Sequence, residues 1–109
     1  MREIKFRVLD EINRMWLKRF NVNLLNIGDL SNVEIMQYTG LKDIAGYEIY
    51  EGDIVKDISN ELIGYIEYSD GGFVVIYDDI MEKLNADESA YLEVLGNIFE
   101  NPEILGKEV

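Results

Sequence analysis

Residues 38–56 carry three glycines, Gly40, Gly46 and Gly52, spaced six apart, each following or interrupting a run of β-type apolar residues. Glycine adopts positive φ without a Cβ clash, so the spacing predicts three tight direction changes separated by short extended pieces. The last piece, Glu51-Gly52-Asp53-Ile54-Val55, predicts a turn that feeds a buried strand. Gly40, Gly46, Gly52 and Asp53 are therefore structural turn residues, and the stretch constrains architecture far more than chemistry.

The flanking segments support a chain of short strands. Residues 2–9 alternate, with Ile4, Phe6 and Val8 on one face and Glu3, Lys5 and Arg7 on the other, the period of a half-buried strand. Turn chemistry at residues 10–13 and a second apolar run containing Met15, Trp16, Leu17 and Phe20 predict a hairpin, although Met15-Trp16-Leu17 fits a helical turn nearly as well. Residues 21–32 mix asparagines with isolated apolar residues, as a ribbon or an irregular connection, and 33–38 predict a short strand into the glycine stretch. Beyond it, residues 54–58, 62–68, 73–77 and 91–99 read as strands. Ser69-Asp70-Gly71-Gly72 is a hairpin turn, which adds Gly71 and Gly72 to the structural positions. The continuous run 73–77 predicts a strand buried on both faces. In 78–90, Ile80, Met81 and Leu84 fall at helical spacing behind Asp78 and Asp79, predicting one or two helical turns or a mobile acidic loop. Pro102 predicts the first turn of a short terminal helix. Short strands at this spacing, with little helix, imply a small β-barrel or roll.

The chain has 109 residues, room for one domain with one core, and 48% hydrophobic content. It has no cysteine and no histidine, which removes disulfides, thiolate metal sites, the commonest catalytic base and the commonest transition-metal ligand. The N-terminal alternation is not the pattern of a signal peptide, and no apolar run reaches the roughly 18 residues of a membrane span. Net charge is −12, unevenly spread. The first twenty residues hold six cations (Arg2, Lys5, Arg7, Arg14, Lys18, Arg19) against three acids, whereas the rest holds four cations against nineteen acids. An acidic body disfavours phosphate backbones and anionic lipid, so neither nucleic acid nor membrane is expected as a partner. The ordinary reading is a solvated surface; the sharper one pairs the basic ribbon with an acidic face of its own or a second subunit.

Catalytic chemistry is thinly supplied. A hydroxyl nucleophile needs a neighbouring base, and Thr39 in the Tyr-Thr-Gly segment is expected to bond the local backbone. Carboxylate pairs abound in a chain with 22 acids, so their adjacency carries little information. Asp78, Asp79 and Glu82 lack the spacing of a calcium loop, and no phosphate-binding glycine motif occurs. The tyrosines sit amid acids, without the basic groove that single-stranded nucleic acid requires; they cap a small core or serve a protein-binding surface. No catalytic residue, cofactor or metal ligand is expected.

The opening Met-Arg-Glu-Ile-Lys-Phe-Arg, the segment from Met36 to Asp43, the segment from Glu48 to Val55 and the ending from Leu92 to Glu103 resemble the phage and prophage YopX family. The resemblance implies an SH3-like β-barrel or roll with an N-terminal β-hairpin extension: a ribbon and connection over 1–35, a barrel over 36–109, and a setting in the bacterial host cytoplasm. Two positions depart from the family pattern. The usually polar, basic turn after Lys-Asp is the apolar Ile44-Ala45-Gly46-Tyr47, and the family's tryptophan before its first Asp is Leu9. The expected role is that of a non-enzymatic accessory protein that binds another protein or self-assembles, through Ile44, Ala45 and Tyr47 together with Trp16, Arg14, Lys18 and Arg19. The alternatives are an acidic decoy that occupies a nucleic-acid-binding site on a host protein, and an enzyme or small-ligand binder, which requires a concave pocket.

Overall fold

The computed structural model describes residues 4–10, 15–17 and 33–106. Among these, the strands are β1 (Phe6–Asp10), β2 (Met15–Leu17), β3 (Val33–Lys42), β4 (Glu48–Tyr50), β5 (Asp53–Asp57), β6 (Leu62–Ser69), β7 (Gly72–Tyr77), β8 (Ile80–Lys83) and β9 (Leu92–Asn97). A single helical turn, α1 (Ala86–Ser89), precedes β9, and a 3₁₀ helix (Pro102–Leu105) follows it. The strands form two antiparallel sheets, ordered β2-β1-β3-β4 and β8-β7-β6-β5-β9. Both orders leave edges open, so the mainly β fold takes the form of a roll and not a closed barrel.

Local chemistry explains the turns. Ser69 pairs with Gly72 across the two-residue loop Asp70-Gly71, whose φ values of 51° and 82° match the twist of the flanking strands. Gly52, at φ 88°, turns β4 into β5; its N–H donates to the Ile66 carbonyl (2.9 Å), and its carbonyl accepts from the Ile98 N–H (2.8 Å). That turn is therefore fastened to β6 and to the segment after β9. Asn85 caps α1 by accepting from the Glu88 N–H at 2.8 Å.

Three expectations change. Gly40 has φ 89°, yet β3 runs on through it to Lys42. The register against β4 shifts between Tyr38 and Lys42, so Gly40 marks a bulge and not a reversal. The Thr39 hydroxyl serves this bulge, donating to the Ile49 carbonyl (2.8 Å) and accepting from the Leu41 N–H (3.2 Å). Residues 80–83 are a strand, paired with β7 from Tyr77↔Ile80 to Val74↔Lys83. The helical spacing of Ile80, Met81 and Leu84 does not hold: the β7 edge offers ladder partners for the backbone, and the helical turn is confined to 86–89. In β1 the predicted inner face is mixed. Ile4 is 70% exposed and Phe6 is also exposed, whereas Leu9, on the same face as Arg7, is fully buried.

Two clusters form the core. Val55, Ile66, Val75, Tyr77 and Leu92 of the five-stranded sheet cluster with Ile49 of β4, and Leu9, Met36, Tyr38 and Tyr50 of the four-stranded sheet form the second cluster, with Phe99 against them. Val74 and Val75, neighbours on opposite faces of β7, are both buried, as the continuous apolar run predicts. β3 crosses the 35/36 boundary drawn from the sequence and pairs with both β1 and β4.

Candidate functional site

The β3–β4 connection places Ile44, Ala45 and Tyr47 together at one exposed tip, with Ile44 53% and Tyr47 69% accessible. The tip is apolar outside and anchored inside. Asp43 is buried; its Oδ1 accepts from the N–H groups of Ala45 (2.9 Å) and Tyr47 (2.8 Å), and its Oδ2 accepts from the Val94 N–H (2.9 Å). The Asp43 N–H donates to the Tyr47 carbonyl (2.8 Å), and the Ile44 N–H donates to the Leu92 carbonyl (2.9 Å). One carboxylate therefore closes the turn and fastens it to β9, the type of charge-assisted bonding that holds a loop rigid. Asp43 was not singled out from the sequence. The available clue was an aspartate two residues before a turn amide, a local acceptor pattern, but its bond to Val94 spans the fold and has no local trace.

The second part of the predicted surface is organised differently. Trp16, 37% exposed, lies over the Arg7 guanidinium at 4.7 Å, and Tyr50 lies 4.5 Å from the same group. Arg7 is thus bracketed by two aromatic rings and donates to Asp53, whose side chain is 1% exposed. Asp53 also accepts from the Tyr50 N–H at 2.8 Å. Beside it, Lys5 pairs with Glu48, and the Tyr50 hydroxyl donates to Glu48 at 2.9 Å. Trp16 accordingly covers a structural ion pair as well as meeting solvent. Arg14, Lys18 and Arg19 lie outside the described residues.

Electrostatics follow burial. Desolvation raises the Asp53 carboxyl above its ordinary value, with Arg7 opposing the shift. The Lys5 hydrogen bond lowers Glu48, and burial pushes the Tyr50 hydroxyl up to about 12. Burial likewise raises Tyr77, whose hydroxyl reaches Glu88 at 3.4 Å. These groups tie neighbouring segments together: the chain just before β1 to β4 through Lys5 and Glu48, β1 to β5 through Arg7 and Asp53, and β7 to α1 through Tyr77 and Glu88. Among the described residues, no three acidic side chains converge in a way that holds a metal ion, and no helix is long and apolar enough to cross a membrane.

Two antiparallel sheets, tied by an ion pair and presenting a carboxylate-pinned apolar tip, define a small mainly β roll. The chain belongs to the YopX family: the family model described as YopX protein matches residues 3–106. Among solved structures it is similar to protein EF1440 from Enterococcus faecalis, with 26% identity and a TM-score of 0.75, over 96% of this chain and 99% of that chain. Nothing matches among curated proteins.

Proposed function

We propose that this protein is a non-enzymatic protein-binding module of a phage or prophage, acting in the host cytoplasm and presenting its 44–47 tip to another protein. The observation that carries this reading is the pairing of exposure with rigidity: Ile44 and Tyr47 stand in solvent on a backbone that Asp43 holds from three N–H groups. A fixed turn loses little conformational entropy on binding, and tyrosine supplies large contact area with a polar edge. The resemblance to the YopX family implies a polar, basic turn here, and this chain has the apolar Ile44-Ala45-Gly46-Tyr47 in its place.

A photocrosslinking amino acid at position 47, expressed in lysogenic host cells, tests this. A discrete adduct at 47 that is absent with the crosslinker at the exposed Glu67 position, and that is lost with Ile44→Ser, supports the tip as an interface. Equal adducts at both positions, or none at 47, reject it. Light scattering of the purified protein then tells a second copy from a different partner.

A further inference from the structure

A groove of about 420 Å3 lies where the start of β6, the β7–β8 turn and the terminal 3₁₀ helix meet. Leu62, Ile80 and Leu105 give it an aliphatic lining, and Glu61, Asp78 and Asp79 stand around it. Among the described residues, no lysine or arginine contributes to that lining. Two of the three carboxylates sit on left-handed backbone, Glu61 at φ 59° and Asp78 at φ 50°.

A cleft lined by one sign of charge over low-dielectric walls concentrates its field on an incoming counter-charge. Aliphatic and carboxylate side chains lining one groove match a side chain with an apolar stem and a cationic head, which describes lysine and arginine. The carboxylates are not gathered as metal ligands among the described residues. A second copy of the whole chain brings a net charge of −12, so two acidic bodies repel. We propose that this groove docks a basic, aliphatic-rich peptide segment of a partner protein. It is a separate surface from the 44–47 tip, and its variants leave that tip intact.

The test uses a fluorescent peptide alternating leucine and arginine, read by anisotropy with the full chain, alongside control peptides alternating serine and arginine or leucine and glutamate. Asparagine tolerates left-handed backbone better than most residues, so Glu61→Asn, Asp78→Asn and Asp79→Asn remove charge while keeping the turns. The combined variant is expected to weaken leucine–arginine peptide binding by about tenfold or more and to flatten its salt dependence. Asp79→Asn alone shifts it the same way by less. Neutralising Glu67, Asp87 and Glu93 instead is expected to leave affinity nearly unchanged, and backbone amide shifts on binding are expected at 61–63, 78–80 and 104–106.

Equal weakening by the two triple variants reduces the effect to diffuse charge and overturns the proposal. So does equal binding of the serine–arginine peptide, amide shifts confined to 44–47, or no binding at millimolar peptide. Salt-sensitive self-association lost with the groove variant assigns the groove to a second copy and overturns the assignment to a partner protein.

Discussion

Arg7 on β1 donates to Asp53 at the start of β5, joining the two sheets across 46 positions of sequence, with Trp16 and Tyr50 on the guanidinium faces. The pair sits where the Gly52 turn launches β5, which lies between β6 and β9 in the five-stranded sheet. It aligns β1 and β5, which share no backbone ladder.

Removing one partner of this pair strands the other. Arg7→Met leaves the buried Asp53 charge uncompensated and is expected to cost about 3 kcal/mol, whereas Arg7→Met combined with Asp53→Asn costs less than those two single changes summed. Urea unfolding of the four proteins checks this. A fully additive cycle means the two side chains are uncoupled.

Gly52→Val is expected to cost about 3 kcal/mol or more, because φ 88° opposes a β-branched residue and the new Cβ meets the Phe99 ring at 3.1 Å. Gly46 has φ 90°, but nothing lies within 4 Å of its added Cβ. Gly46→Ala therefore carries the conformational penalty alone, roughly 1–2 kcal/mol. Melting temperatures rank the two, and equal losses contradict the crowding at Gly52.

Asp43→Ala deprives three backbone N–H groups of their acceptor and is expected to cost about 2–3 kcal/mol. Hydrogen exchange at Ala45, Tyr47 and Val94 should accelerate together, since one carboxylate serves all three. Acceleration at Ala45 and Tyr47 without Val94 shows that the tip is held to β9 by its other bonds.

Stability is expected to fall in alkali. The folded chain holds the Tyr50 proton up to about pH 12, against an ordinary value of 10.0. The unfolded state loses this proton first, so the contribution is complete below pH 10 and lost as pH rises toward 12. Tyr77 is raised as well, so Tyr50→Phe leaves part of the slope and removes the rest. Unfolding midpoints at stepped pH measure both, and an unchanged slope in Tyr50→Phe contradicts the assignment.

Glu48 behaves with the opposite sign. Its hydrogen bond to Lys5 lowers it below the ordinary 4.5, so its stabilisation is present above that value and lost as pH falls through the lower folded one. Lys5→Met should return the Glu48 titration toward 4.5 in side-chain carboxyl NMR. A titration that stays put assigns the shift to Tyr50 instead.

Much of the local architecture was legible in the residues. The Asp70-Gly71 hairpin, the Gly52 turn into a buried strand, the doubly buried run through Val74 and Val75 and the proline-led terminal turn all rest on preferences of one to four adjacent residues. The exposed tip at Ile44 and Tyr47 was legible too, because an apolar turn beside glycine has nowhere to be buried locally. Other features depended on partners far along the chain. Ile80 to Lys83 read as helix or acidic loop until β7 supplied a ladder, and Gly40 looked like a reversal until the β4 register made it a bulge. Arg7 looked like solvent-facing charge, and only the meeting of β1 with Asp53 and Tyr50 turned it inward. Local sequence determined where this chain bends, since φ preferences and turn hydrogen bonds act over a few residues. The tertiary structure decided which strands pair and which charges are buried, because those energies arise between groups that sequence separates and packing brings together.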